Sequence, residues 1–140
     1  MMIKKTYSFT DYNGNERTED HYFYLNDAEI VKMELGVDGG FTEKIKRIIS
    51  ARNIPEIIKV FDEMIDASYG IKSPDGREFI KTPEITAKFK QTEAYSKLFM
   101  DFVTKEGFAA NFFNELIPHD MADEASETKE ENQNVVSFNS

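Results

Sequence analysis

The chain has 140 residues, 17 Lys+Arg against 26 Asp+Glu for a formal net charge of -9, 40% apolar and 13% aromatic content, and no Cys. That is one domain's worth of sequence with enough apolar material for a core, and it excludes disulfides, thiol nucleophiles and cysteine zinc sites. No apolar run approaches the ~18 residues of a membrane span, and Met1 to Thr6 is followed by no apolar stretch of a signal peptide, which sets a cytoplasmic expectation.

Ile3 to Phe9 and Glu19 to Leu25 read as two strands, with Tyr7 and Phe9 alternating with Ser8 and Thr10, and Tyr22 and Tyr24 with His21 and Phe23. Asp11-Tyr12-Asn13-Gly14-Asn15 lies between them, and Asn-Gly is a strong hairpin signal. A lone hairpin is marginal in water, so it must lay its aromatic face on the helices that follow.

Helix one begins at Asn26, with Glu29 as the capping-box acid and Leu25 and Ile30 at the staple positions, and ends near Gly36. Helix two starts at Thr42, with Ile45, Ile48 and Ile49 on one side and Lys44, Lys46, Arg47 and Arg52 around it. In helix three Asn53 caps, Pro55 lies in the first turn, and Glu56 completes a second capping box. Ile54, Ile57, Ile58, Phe61, Met64 and Ile65 form its apolar stripe, which stops at Tyr69-Gly70. Ser73-Pro74-Asp75-Gly76 is a tight turn flanked by Ile71 and Phe79-Ile80, the pattern of a very short hairpin.

Thr82-Pro83 opens helix four, with Ile85 and Phe89 facing inward. Thr92 caps helix five, whose apolar face is Tyr95, Leu98, Phe99, Phe102 and Val103. Helix six holds Phe108, Ala109, Phe112, Phe113, Leu116 and Ile117, after a Gly107 that bends the chain or allows close packing. The expected fold is therefore α+β and mostly helical: a hairpin (3–25) on five or six helices (26–117).

Pro118 marks the expected boundary of a folded domain, 1–118. Residues 119–140 hold six acids and one Lys, with no apolar residues at regular spacing before Val135, Val136 and Phe138. Such a segment buries too little to offset the entropy of ordering it, so a disordered acidic tail is expected, either solubilising or partner-binding. The negative field also argues against nucleic-acid binding, which rests on clustered basic residues.

Chemistry finds little support. Only His21 and His119 are present, and no metal-ligand spacing such as H-E-x-x-H occurs. His21 reads as a polar residue of an edge strand, and Asp62, Glu63 and Asp66 as the wet face of helix three. Asp75-Gly76 lacks the other positions of a calcium loop, the 36–40 glycines lack the Lys-Ser/Thr of a phosphate loop, and Ser68 and Ser96 sit on no nucleophile elbow. No catalytic, cofactor or metal residue is assigned, and no enzyme is expected. The basic residues of helix two could meet an acidic segment. The stronger binding candidates are Phe99, Phe102, Phe108, Phe112 and Phe113, which would line a groove for an apolar helix wherever the core does not claim them.

Ala67 to Lys81 (ASYGIKSPDGREFIK) and Phe89 to Met100 (FKQTEAYSKLFM), with Ala109 to Pro118 after them and Thr6 to Leu25 before, resemble the tail assembly chaperones of long-tailed bacteriophages of Gram-positive hosts. The resemblance covers roughly residues 3–118. It implies a non-enzymatic assembly factor in the host cytoplasm, absent from the finished virion. Such a factor binds and solubilises the tape measure protein, helps recruit tail tube subunits, and self-associates. A ribosomal frameshift giving a longer form of the same product is also implied. Two alternatives stand beside it: a small acidic inhibitory or regulatory binding module, and a structural protein of the phage tail.

Overall fold

The computed structural model describes residues 2–117. The Pro118 boundary, His119 and the tail lie outside the described residues. Two strands, β1 (Ile3–Thr10) and β2 (Glu16–Phe23), are followed by three helices, α1 (Asp27–Leu35), α2 (Phe41–Ser50) and α3 (Ile54–Ser68). A short hairpin of β3 (Tyr69–Lys72) and β4 (Phe79–Ile80) comes next, then α4 (Pro83–Lys90), α5 (Glu93–Thr104) and α6 (Phe108–Leu116). The four strands form one sheet in the order β1-β2-β3-β4, each antiparallel to its neighbour. The expected α+β architecture, a hairpin laid on helices, is the one observed.

The first hairpin turns tighter and earlier than its aromatic pattern suggests. The Gly14 N–H donates to Asp11 C=O at 2.9 Å and the Asp11 N–H to Asn15 C=O at 2.8 Å, with Gly14 at φ 84°. This is a three-residue loop in which only the position after the turn needs the left-handed region that glycine tolerates. The Asp11 carboxylate accepts from the Asn13 and Asn15 N–H groups and from Arg17. Pairing therefore begins at Thr10↔Glu16, three residues before the expected start of β2. Tyr24 and Leu25 leave that ladder, and the Tyr24 N–H instead donates to Ser68 C=O.

Odd-numbered residues of the hairpin face the helices: Ile3, Phe9, His21 and Phe23 are buried and Tyr7 half-buried, while Lys4, Thr6, Ser8 and Thr10 are exposed. His21 thus departs from its expected place. It lies on the inner face of a strand flanked on both sides, because one-residue alternation puts it beside Phe23 under α4.

The capping signals hold except for the second box: Asn53 accepts from the Glu56 N–H, but the Glu56 side chain makes no return bond to the Asn53 N–H. Asn26 and Glu29 form a reciprocal box at α1, and Asn53, Thr82 and Thr92 cap α3, α4 and α5 through the N–H groups of Glu56, Ile85 and Tyr95. The core is a single cluster around α3, whose Ile57, Val60, Phe61, Met64 and Ile65 are buried, closed by Leu98 and Phe102 of α5 and Phe112, Phe113 and Leu116 of α6. Polar bonds tie its elements together. Lys81 Nζ donates to Tyr24 C=O, Ala67 C=O and Glu29. Tyr7 donates to Asp101 at 3.1 Å, joining β1 to α5; burial first, then that carboxylate, pushes the phenol well above its usual range.

Candidate partner-binding surface

The five phenylalanines singled out in the sequence divide by helix face. Phe102, Phe112 and Phe113 are buried, and their rings serve the core: Phe102 lies 4.6 Å from the Phe61 centroid, Phe112 meets Phe23 edge-on at 5.4 Å, and Phe113 meets Phe41 at 6.2 Å. None of the three offers surface in this fold. Phe99 and Phe108 are half-buried. Phe108 stacks on Phe112 and is covered by the Lys5 ammonium at 5.2 Å. Phe99 lies on the flank of α5, edge-on to Phe61 at 5.7 Å, with Val103 one turn further on.

That flank leads into a groove at the end of the bundle. It lies where the α2–α3 turn meets the α5–α6 turn, with a volume of about 650 Å³. Ile49, Ile54, Ile57 and Val103 give it an apolar lining, and Arg52, Lys105 and Glu106 add charge. Ile54 is 47% exposed although it opens α3, because Asn53 starts the helix before the bundle has closed over its first turn. Met100, 50% exposed, stands on the outward side of α5. Neither Arg47 nor Arg52 is in an ion pair among the described residues; Lys46 is paired with Glu43 and Lys105 with Asp101. The groove thus carries an apolar strip within a lining that is otherwise polar, with Arg52 and Lys105 against the single acid Glu106. The sequence placed Ile54 in the core stripe, and only its position before the first buried turn could have signalled otherwise.

Most of the other polar residues singled out in the sequence serve structural contacts. Asp62 accepts from Tyr95 at 2.9 Å and Asp66 pairs with Lys90 at 2.8 Å, tying α3 to α4 and α5; Glu63 is exposed. Asp75 accepts from Ser73 and from the Arg77 N–H, and the Ser68 hydroxyl donates back to Met64 C=O. His21 is buried against Phe89 and Tyr69, and loss of hydration there pulls its pKa down against the opposing pull of Glu19 and Asp20. Among the described residues no group of three or more His, Asp and Glu could hold a metal ion, and no helix is long and apolar enough to cross a membrane.

Sequence reasoning missed Glu34. It is a buried carboxylate at 2% exposure, accepting from the Thr42 N–H at 2.8 Å and the Thr42 hydroxyl at 2.7 Å. The residue before α2 is Gly40, which has no side chain to cap with, so a carboxylate from α1 does it. A Cβ on Gly40 would lie 2.7 Å from Glu34 Oε1, and φ there is 92°. The 36–40 loop is therefore built around an anion of its own, opposite to a phosphate loop.

A family model described as phage tail assembly chaperone matches residues 2–139. The match runs through the acidic segment, beyond the 3–118 reach of the recognisable sequence blocks. Comparison with curated proteins and with solved structures gave no match.

Proposed function

Because the chain belongs to the phage tail assembly chaperone family, we propose that it binds and solubilises the tape measure protein and helps bring tail tube subunits to it, making and breaking no bond. It acts in the host cytoplasm, in several copies on one partner, and is left out of the finished virion. A frameshifted longer form of the same product would share these partners. The observation that carries this reading is the groove between the two inter-helix turns, where Ile54 is exposed beside the half-buried Ile49 and Val103. A long helical partner presents apolar side chains at i, i+3, i+4 and i+7, and a groove of this kind receives such a stripe.

The test is co-expression with the long neighbouring tail gene product. The partner should move from the insoluble to the soluble fraction and co-purify with this chain. Ile54→Asp and Val103→Asp, which put charge into the groove, should abolish co-purification while leaving the helical signal intact. A partner equally soluble with and without this chain would reject the reading, as would finding the protein at full stoichiometry in purified particles.

A further inference from the structure

The acidic segment beyond the described domain has the composition and the reach to occupy the groove itself. α6 lies beside α2, with Phe113 against Phe41 at 6.2 Å. The two helices run in opposite senses: the start of α2 faces the later part of α6, while Ile49 and Ser50 at its end line the groove with Gly107, which precedes α6. A chain leaving α6 at Ile117 is therefore next to the start of α2, and the groove lies at the other end of that helix, about 15 Å away for ten residues. Val135 lies eighteen positions beyond Ile117. That stretch spans about 27 Å as helix and about 60 Å extended, so either conformation reaches.

The order of side chains along the segment matches the order of surfaces along that path. Asp120, Asp123, Glu124, Glu127, Glu130 and Glu131 come first, and Val135, Val136 and Phe138 follow. On the domain, the exposed Lys46 and Arg47 of α2 come first, then Arg52, then the apolar groove. Arg47 and Arg52 have no ion pair within the described residues to give up. The family match extends to residue 139, so this segment belongs to the family's shared sequence.

We propose that residues 119–140 dock on their own domain, the acids along the basic face of α2 and Val135, Val136 and Phe138 in the groove lined by Ile49, Ile54, Ile57 and Val103. The segment then covers the chaperone surface until a partner displaces it. The covering role rests on the reading that this groove receives the partner; the docking does not.

The chain has no native Cys, so Asn139→Cys in the full-length protein carries a single nitroxide label beside Phe138. Amide signals of Arg52, Ile54, Val103 and Gly107 should lose more than half their intensity. Those of Asn13 and Gly14, at the hairpin loop near the opposite end of α5, should not. The loss should shrink several-fold in high salt, in Arg47→Glu/Arg52→Glu, and in Val135→Ser/Val136→Ser/Phe138→Ser. Uniform loss, or none, overturns the proposal. Loss that appears when labelled chain is mixed with isotope-enriched unlabelled chain would place the segment on a second copy and overturn docking within one chain. Groove broadening without any solubilised tape measure protein would sustain the docking and sink the covering role. Solubilisation without broadening would sink the docking, and the covering role with it, and leave the partner-binding reading standing.

Discussion

Replacing Glu34 tests whether a carboxylate from one helix holds the start of the next. In Glu34→Ala both bonds to Thr42 disappear, and the α2 N-terminus loses its only side-chain acceptor among the described residues. A hydrogen bond to a charged group contributes about 1.5–3 kcal/mol, and losing a helix cap costs about 0.5–2 kcal/mol. These overlap, since the Thr42 N–H bond is the cap, and the substitution also removes the desolvation cost of burying the carboxylate. A net loss of about 2–3 kcal/mol follows, roughly 10 °C in Tm for a domain of this size. Glu34→Gln can still accept from the Thr42 N–H and donate to its hydroxyl, so it should lose only about 1 kcal/mol. Glu34→Met decides the matter. It fills the volume but leaves the Thr42 N–H unpaired, and should cost about 1–3 kcal/mol. Urea unfolding followed by far-UV circular dichroism reads all three. A methionine variant as stable as the parent would mean that the buried charge is a net burden, and the capping argument would fail.

Burial depresses the His21 pKa below its ordinary 6.5, so the unfolded chain takes up the proton first. Stability should be full above pH 6.5 and fall as pH drops from there towards the folded-state pKa, and His21→Phe should flatten that slope in a pH series of urea midpoints. Lys81→Met leaves the Tyr24 and Ala67 carbonyls without their shared donor and should cost about 2–3 kcal/mol, with faster amide exchange at the end of α3. Phe102→Asp, Phe112→Asp and Phe113→Asp should each abolish folding, with losses beyond about 4 kcal/mol. Met100→Asp should stay within about 0.5 kcal/mol of the parent, so that any effect it has on partner capture reports the surface alone.

Local signals were legible in the sequence because each is complete within a few residues. Asn26 with Glu29, Asn53 and Thr92 each hold both donor and acceptor of a cap in one turn, and all three helices begin where these residues say. What failed to show depends on distant parts of the chain. Glu34 and Thr42 meet across a loop of glycines, and Lys81 joins carbonyls 57 and 14 residues away. His21 looked peripheral because the strand beside it, β3, comes after three helices. The late phenylalanines were ambiguous for the same reason. Periodicity shows that Phe99, Phe102 and Val103 share a side of α5, but only the position of α3 decides that Phe102 is buried centrally while Phe99 and Val103 lie at its margin.

The small size of that margin has a consequence for how the chain would work. A fully buried aliphatic side chain contributes about 1.5–3 kcal/mol, so three partner residues in the groove supply about 5–9 kcal/mol. Association costs about 4–15 kcal/mol in lost translational and rotational freedom before any contact is counted. One domain on one apolar stripe therefore binds weakly, as the proposed role of a partner-holding factor that is left out of the finished particle would require. Tight holding needs several copies on one long partner, where each further engagement is intramolecular in effect. A fragment of the tape measure protein offering a single apolar stripe should bind this chain only weakly in a titration, whereas capture of a fragment with several stripes should rise much more steeply with chaperone concentration. Tight one-to-one binding of the single-stripe fragment would show that affinity resides in a surface other than this groove.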